Sequence, residues 1–158
     1  MIKVCDNEEE IRSIVIDDQE MLERVSFDGF KSENVEMLSR GVWLSWVNDK
    51  GVTESLCCFK AISPFVIDIH IHTPEKFRGK GTLSKGKDFL GWIISRNKGR
   101  FLKFETSIPA IHRDVILYAM KLGFKREGTS RKSVIKNGVL MDVANMGITF
   151  EEVLNGRI

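Results

Sequence analysis

The chain has 158 residues, 42% of them hydrophobic and 29% charged, with a net charge of +2 at neutral pH. That length suits a single domain, 1–158, around one core, and so small a net charge gives no reason to expect nucleic acid as a partner. No apolar run approaches the ~20 residues a helix needs to cross a bilayer, so no membrane partner is expected either.

Met1-Ile2-Lys3 begins a short strand, Ile2 to Cys5, rather than a leader. Asp6 or Asn7 can cap a helix through Glu8-Glu9-Glu10-Ile11, and Asp17-Asp18 precedes a second helical stretch to about Val25. Gly41 to Val47 and Val52 to Ala61 are apolar runs separated by Asn48-Asp49-Lys50-Gly51, a hairpin signal. Cys57 and Cys58 are adjacent and Cys5 is remote, so the cysteines make no disulfide framework and suit a reducing cytoplasm. Pro64 separates a further strand, Phe65 to His72.

In that strand Asp68, His70 and His72 share one face, and Ile67, Ile69 and Ile71 the other. Zinc ligation by His70, His72 and Cys57 or Cys58 lacks a defined ligand spacing, so no metal is expected. Thr82 to Ser95 places Leu83, Leu90, Ile93 and Ile94 at helical spacing. Phe101 to Ile108 is the next strand, followed by a helix with the sole tyrosine, Tyr118, and Gly123 at its C-terminal cap. Two last strands flank Lys136-Asn137-Gly138, where Asn-Gly favours a type I′ turn. A two-residue loop there would set Ser133 opposite Asp142 and let Arg131 pair diagonally with Asp142.

Between strand and helix lies Arg78-Gly79-Lys80-Gly81-Thr82, with Lys76, Lys85 and Lys87 close by. A strand feeding a glycine turn at a helix start builds an anion site, because glycines admit the anion and the first free N–H groups point at it. A Walker loop fails at Asp88, where the magnesium-binding hydroxyl belongs, and a dinucleotide fingerprint fails at Ser84, where a third glycine belongs. Arg78-Gly79-Lys80-Gly81-Thr82-Leu83 fits the Arg/Gln-x-x-Gly-x-Gly/Ala pattern that grips the pyrophosphate of coenzyme A, except at its last position.

Ile111 to Phe124 resembles the tyrosine-bearing fourth helix of the GNAT superfamily of acetyl-CoA-dependent N-acetyltransferases, and the tail from Gly123 to Ile148 resembles that family's last two strands. The resemblance covers about Phe65 to Ile148. The His-x-His strand running into Pro-Glu-x-x-Arg-Gly-Lys further resembles phage-encoded members. It implies an α/β fold in the order β-α-α-β-β-β-α-β-α-β-β, a mixed, mostly antiparallel twisted sheet with helices on both faces. Acetyl-CoA would be the cofactor and an amine, on a small molecule or a protein, the acceptor. The oligomeric state stays open, a homodimer included.

The same resemblance assigns residues. Main-chain groups of Gly79, Lys80, Gly81, Thr82, Leu83 and Ser84 would wrap the pyrophosphate, with Arg78 and Lys80 adding charge. The main chain of Ile71, His72 and Thr73 would hold the pantetheine arm beside a bulge and polarise the carbonyl. Tyr118 falls where the family places its general acid, whereas Ile111 replaces an asparagine that usually touches the cofactor. The central strand offers no glutamate as base, so His70 or His72, whose ordinary pKa is near ~6.5, and Glu105 on the next strand are the candidates. The alternative is a non-catalytic assembly module on the same fold, favoured by Leu83, Ile111 and the missing glutamate; binding of acetyl-CoA separates the two.

Overall fold

Residues 1–28, 41–79, 81–97 and 99–156 are described by the structure, a computed structural model. Lys80, one of the expected cofactor contacts, lies outside the described residues. Strand β1 (Ile2–Val4) leads to α1 (Glu8–Val15), whose N-cap Asn7 accepts hydrogen bonds from the Glu9 and Glu10 N–H groups. Glu8, Glu9 and Glu10 in its first turn complement the positive end of the helix dipole. Helix α2 (Gln19–Val25) is capped by Asp18, which accepts from Met21 N–H.

Strands β2 (Val42–Val47), β3 (Thr53–Ala61) and β4 (Val66–His72) form an antiparallel meander. A 3₁₀ turn (Glu75–Phe77) then leads to α3 (Thr82–Arg96), β5 (Lys103–Pro109) and α4 (Arg113–Lys121). The hairpin β6 (Lys125–Lys136) and β7 (Val139–Thr149) follows. A last short helix, α5 (Phe150–Leu154), is an addition to the expected order; Thr149 and Glu152 close its start as a reciprocal capping box.

The strands make one sheet in the order β1-β2-β3-β4-β5-β7-β6, antiparallel throughout except for the parallel pair β4 and β5. Alternation sends Leu44, Cys57, Ile67, Ile69 and Phe104 to one face, against Phe89, Leu90 and Ile93 of α3 and Ala119 and Leu122 of α4. Trp43 and Leu56 go to the other face, against Ile11 and Val15 of α1 and Leu22 of α2. Helices therefore cover both faces. Phe89 and Phe104 are fully buried, and truncating either to alanine would cost about 3–5 kcal/mol.

The terminal hairpin corrects one expectation. Asn137 and Gly138 both have positive φ, +52° and +74°, as a type I′ turn requires. Val134, Ile135 and Lys136 pair with Met141, Leu140 and Val139, but Ser130 already pairs with Val143. Arg131, Lys132 and Ser133 thus bulge opposite Asp142. In place of an Arg131–Asp142 ion pair, Asp142 Oδ1 accepts from Lys132 N–H at 2.9 Å, with Lys132 at φ +50°.

Candidate active site

The ladder between β4 and β5 contains only Val66↔Lys103, Ile67↔Phe104 and Asp68↔Glu105. Beyond Asp68, β4 follows β3 to His72, while β5 follows β7 to Pro109. A wedge opens between two strands in the middle of the sheet, with Ile69–His72 on one side and Thr106–Pro109 on the other. Main-chain groups left unpaired there are the kind that an extended ligand can pair with. The expected bulge is absent, since Leu56↔His72 through Ala61↔Ile67 run in unbroken register. The strands part because each stays with its outer neighbour.

At the open end of β4, Ser55 Oγ bonds both the His72 carbonyl, at 3.2 Å, and Thr73 Oγ1, at 2.8 Å, fixing where the strand stops. The glycine turn follows. Gly79 and Gly81 sit at φ +111° and +96°, and a Cβ added at either would meet nothing within 4 Å, so the space beside the turn is open. Gly81 is the N-cap of α3 and brings no side-chain cap. Thr82 N–H reaches the Gly79 carbonyl and Lys85 N–H the Gly81 carbonyl, and the first-turn N–H groups of Leu83 and Ser84 have no main-chain partner among the described residues. Thr82 Oγ1 is buried with no hydrogen-bond partner. Such an orphan costs ~1–3 kcal/mol unless something meets it. Leu83 departs from the small residue of the pattern, and its half-buried side chain packs against the main core.

The charges around the turn are less available than their crowding in sequence implies. Arg78 donates from Nε to the Thr73 carbonyl at 2.8 Å and from both terminal nitrogens to the two oxygens of Glu20 at 2.7 Å. Lys85 is buried, 6% exposed, and pairs with Glu54 at 2.6 Å beside the rings of Trp46 and Phe77. Both cations are therefore neutralised by carboxylates from other elements. Glu20, lowered from its ordinary pKa first by the Arg78 hydrogen bond, also binds Arg24, which reaches Asp114 at 2.7 Å. A row of alternating charges, Arg78, Glu20, Arg24 and Asp114, thus joins the end of β4 to the start of α4.

The four expected catalytic side chains do not converge. Tyr118 stands beside the turn: its hydroxyl donates to the Thr82 carbonyl at 3.1 Å and lies where a Cβ on Gly86 would intrude, at 2.3 Å. Burial pushes its pKa up. His72 lies on the opposite face against Trp43, ring centroids 5.6 Å apart, and burial drives its pKa down to about 3. It does not titrate in the ordinary histidine range, which corrects its reading as a base near neutrality. His70 is exposed and contacts Asp68 at 3.1 Å. Glu105 shares that face and is held by Lys103 at 2.8 Å. His70 and Glu105 mark the root of the wedge, away from Tyr118.

One group that the sequence pattern leaves unmarked is His112, directly before α4, whose Nε2 is buried with no partner. A cavity of about 300 Å³ is lined by Glu23, Ser26, Phe27, Asp28, Lys136 and Asn137. A larger one, about 520 Å³, lies under α1 at the β1 edge, away from the wedge. Among the described residues no His, Cys, Asp and Glu side chains cluster as metal ligands, and no helix is long and apolar enough to cross a membrane.

No protein-family profile matches the chain, and no curated protein does. Solved structures match over nearly its whole length. The spermidine N-acetyltransferase of Vibrio cholerae, solved with CoA and spermine, is 13% identical over 98% of both chains with a TM-score of 0.80. A GNAT superfamily phosphinothricin acetyltransferase of Sinorhizobium meliloti, solved with AcCoA, is 18% identical over 96% of this chain and 89% of its own, with a TM-score of 0.72. The chain has the GNAT fold.

Proposed function

We propose that this GNAT-fold protein is an N-acetyltransferase that moves an acetyl group from acetyl-CoA to a primary amine. The observation that carries the reading is the uncapped glycine turn at the start of α3. Its left-handed Gly79 and Gly81, the first-turn N–H groups of Leu83 and Ser84 and the orphaned Thr82 hydroxyl suit a pyrophosphate. A non-catalytic module would have no use for these unmet groups beside an open wedge. The solved relatives, carrying CoA or AcCoA, support the same reading. Three free thiols, Cys5, Cys57 and Cys58, fit a cytoplasmic setting.

Acetyl-CoA supplies an activated thioester. The protein supplies position and protons. The turn from Gly79 to Ser84 anchors the pyrophosphate end, and the main chain of Ile71, His72 and Thr73 runs beside the wedge, where it can pair with the extended arm. Tyr118, held against Thr82, is the proton donor proposed for the leaving thiolate beside the turn. Titration calorimetry with acetyl-CoA, followed by free-thiol release with spermidine and with phosphinothricin as first amines, tests the proposal. Absence of acetyl-CoA binding would sink it.

A further inference from the structure

The chain holds two Asn-Gly pairs, Asn137-Gly138 at the tip of the terminal hairpin and Asn155-Gly156 after α5, and all four residues are exposed. Asn-Gly is the pair in which an asparagine most readily loses its side-chain amide. The glycine nitrogen attacks the asparagine Cγ, and no side chain on the glycine stands in the way. The two pairs differ in what their glycine N–H meets.

Gly156 N–H donates to the Val153 carbonyl at 3.3 Å, a long bond at the end of a five-residue helix. Gly138 N–H donates to Asp28 Oδ2 at 2.6 Å, and Asn137 N–H donates to Oδ1 of the same carboxylate at 2.7 Å. Short bonds to an ionised acceptor are the strong kind. The main chain seats that carboxylate in turn. Asp28 N–H donates to the Ile135 carbonyl at 2.9 Å, and the Lys136 ammonium donates to the carbonyls of Glu23 and Ser26. The hairpin tip and the segment leaving α2 thus close on each other as a clasp.

Attack requires the Gly138 nitrogen to give up its proton and turn toward the Asn137 side chain. The Asp28 carboxylate opposes both, because it holds the N–H and its charge disfavours a deprotonated nitrogen beside it. We propose that Asn137 is a guarded deamidation site, closed while Asp28 sits on the turn and opened when the segment after α2 leaves the hairpin. In the reaction the Gly138 nitrogen loses its proton and bonds to Asn137 Cγ, the Cγ–Nδ2 bond breaks, and ammonia leaves. Water then opens the cyclic imide to aspartate or isoaspartate. The new carboxylate joins those of Glu23 and Asp28 around the cavity they line with Lys136. Like charge against Asp28 then keeps the clasp from closing again.

The first test uses the wild-type protein, held at pH 8 and sampled over time, with peptide mass spectrometry reading conversion at residues 137 and 155 separately. Asn155 should convert first. Asn137 should lag by about 10- to 100-fold, the strength of a hydrogen bond to a charged group. Equal rates, or a faster Asn137, would overturn the guard.

Asp28→Ala removes the carboxylate and adds no new asparagine. Conversion at Asn137 should accelerate by the same factor while Asn155 keeps its rate. No acceleration at Asn137 would overturn the proposal, and so would an equal rise at both residues, which marks general loosening. The lasting release is read in Asn137→Asp, where the Gly138 amide should exchange with solvent faster than in wild type. Exchange as slow as wild type would show that the clasp re-forms and would overturn that part.

Discussion

Arg78 grips Glu20 through both oxygens of its carboxylate, at 2.7 Å each, across 58 positions of sequence. The fork ties helix α2 to the residue that opens the glycine turn. It also sets the charge of that turn, because a guanidinium shared with a carboxylate presents little net charge to an anion.

Glu20→Gln should therefore tighten coenzyme A binding. A unit charge a few ångströms from a phosphate is worth ~1 kcal/mol in water, or about fivefold in affinity. The gain should shrink with added salt. Calorimetry at two salt concentrations measures it; an unchanged affinity would leave Arg78 as a strut only. Stability should move the other way. Glu20 is held below the ordinary carboxylate range, so its contribution is complete above that range and is lost as pH falls through and below it. The variant should show a shallower acid loss of stability than wild type.

Gly81 separates strain from ligand exclusion. At φ +96°, with open space where a Cβ would go, Gly81→Ala should cost ~1–2 kcal/mol through backbone strain alone. Gly81→Glu should cost similar stability and also abolish acetyl-CoA binding, because its carboxylate occupies and repels the anion's place. Denaturant midpoints and calorimetry on the pair distinguish the effects. Binding retained in Gly81→Glu would move the cofactor site elsewhere.

Tyr118 and Gly86 form one contact. Gly86→Ala would push a methyl within 2.3 Å of the Tyr118 hydroxyl and 2.8 Å of Leu122, so it should destabilise by ~1–3 kcal/mol. Tyr118→Phe removes one hydrogen bond, to the Thr82 carbonyl, and should cost ~1 kcal/mol. If the hydroxyl protonates the leaving thiolate, turnover falls ~10²–10⁴-fold while cofactor affinity holds. Lost stability with full turnover would assign Tyr118 to packing.

His72 predicts an acid-sensitive fold. Its native pKa of about 3 lies below its ordinary 6.5, so the unfolded chain binds a proton that the folded chain refuses. Its contribution is complete above pH 6.5 and is lost progressively as pH falls toward 3. His72→Phe keeps a ring against Trp43 and cannot protonate. Urea midpoints between pH 7 and pH 4 should slope less in the variant. Equal slopes would place the acid sensitivity on the paired carboxylates.

Local rules found the elements well. Asn137-Gly138 dictates its own turn, Asn7 and Asp18 cap their helices, and alternation along β4 sorts Ile67 and Ile69 from Asp68 and His70. What stayed hidden depends on partners far away in sequence. Nothing near Arg78 or Lys85 announces Glu20 or Glu54, so both looked like free cations at the turn. Arg131 missed Asp142 because a bulge displaced the register that a two-residue loop would have propagated. His112 sits in an ordinary helix start, and nothing in its neighbours along the chain announces a buried Nε2 without a partner. The fold was written in periodicity; the state of each charged or titratable group was written in contacts.

The bulge in β6 has a consequence for how copies of this protein meet. β6 is the outermost strand beyond β7, and an open strand edge is a template onto which another chain can add. Here the ladder shifts twice, between Arg126 and Gly128 and between Ser130 and Val134, and the strand carries Lys125, Arg126, Arg131, Lys132 and Lys136. Broken register denies an incoming strand a continuous row of main-chain partners, and like charge repels a second β6 laid alongside. Sheet-to-sheet growth into fibrils is thereby disfavoured at this edge.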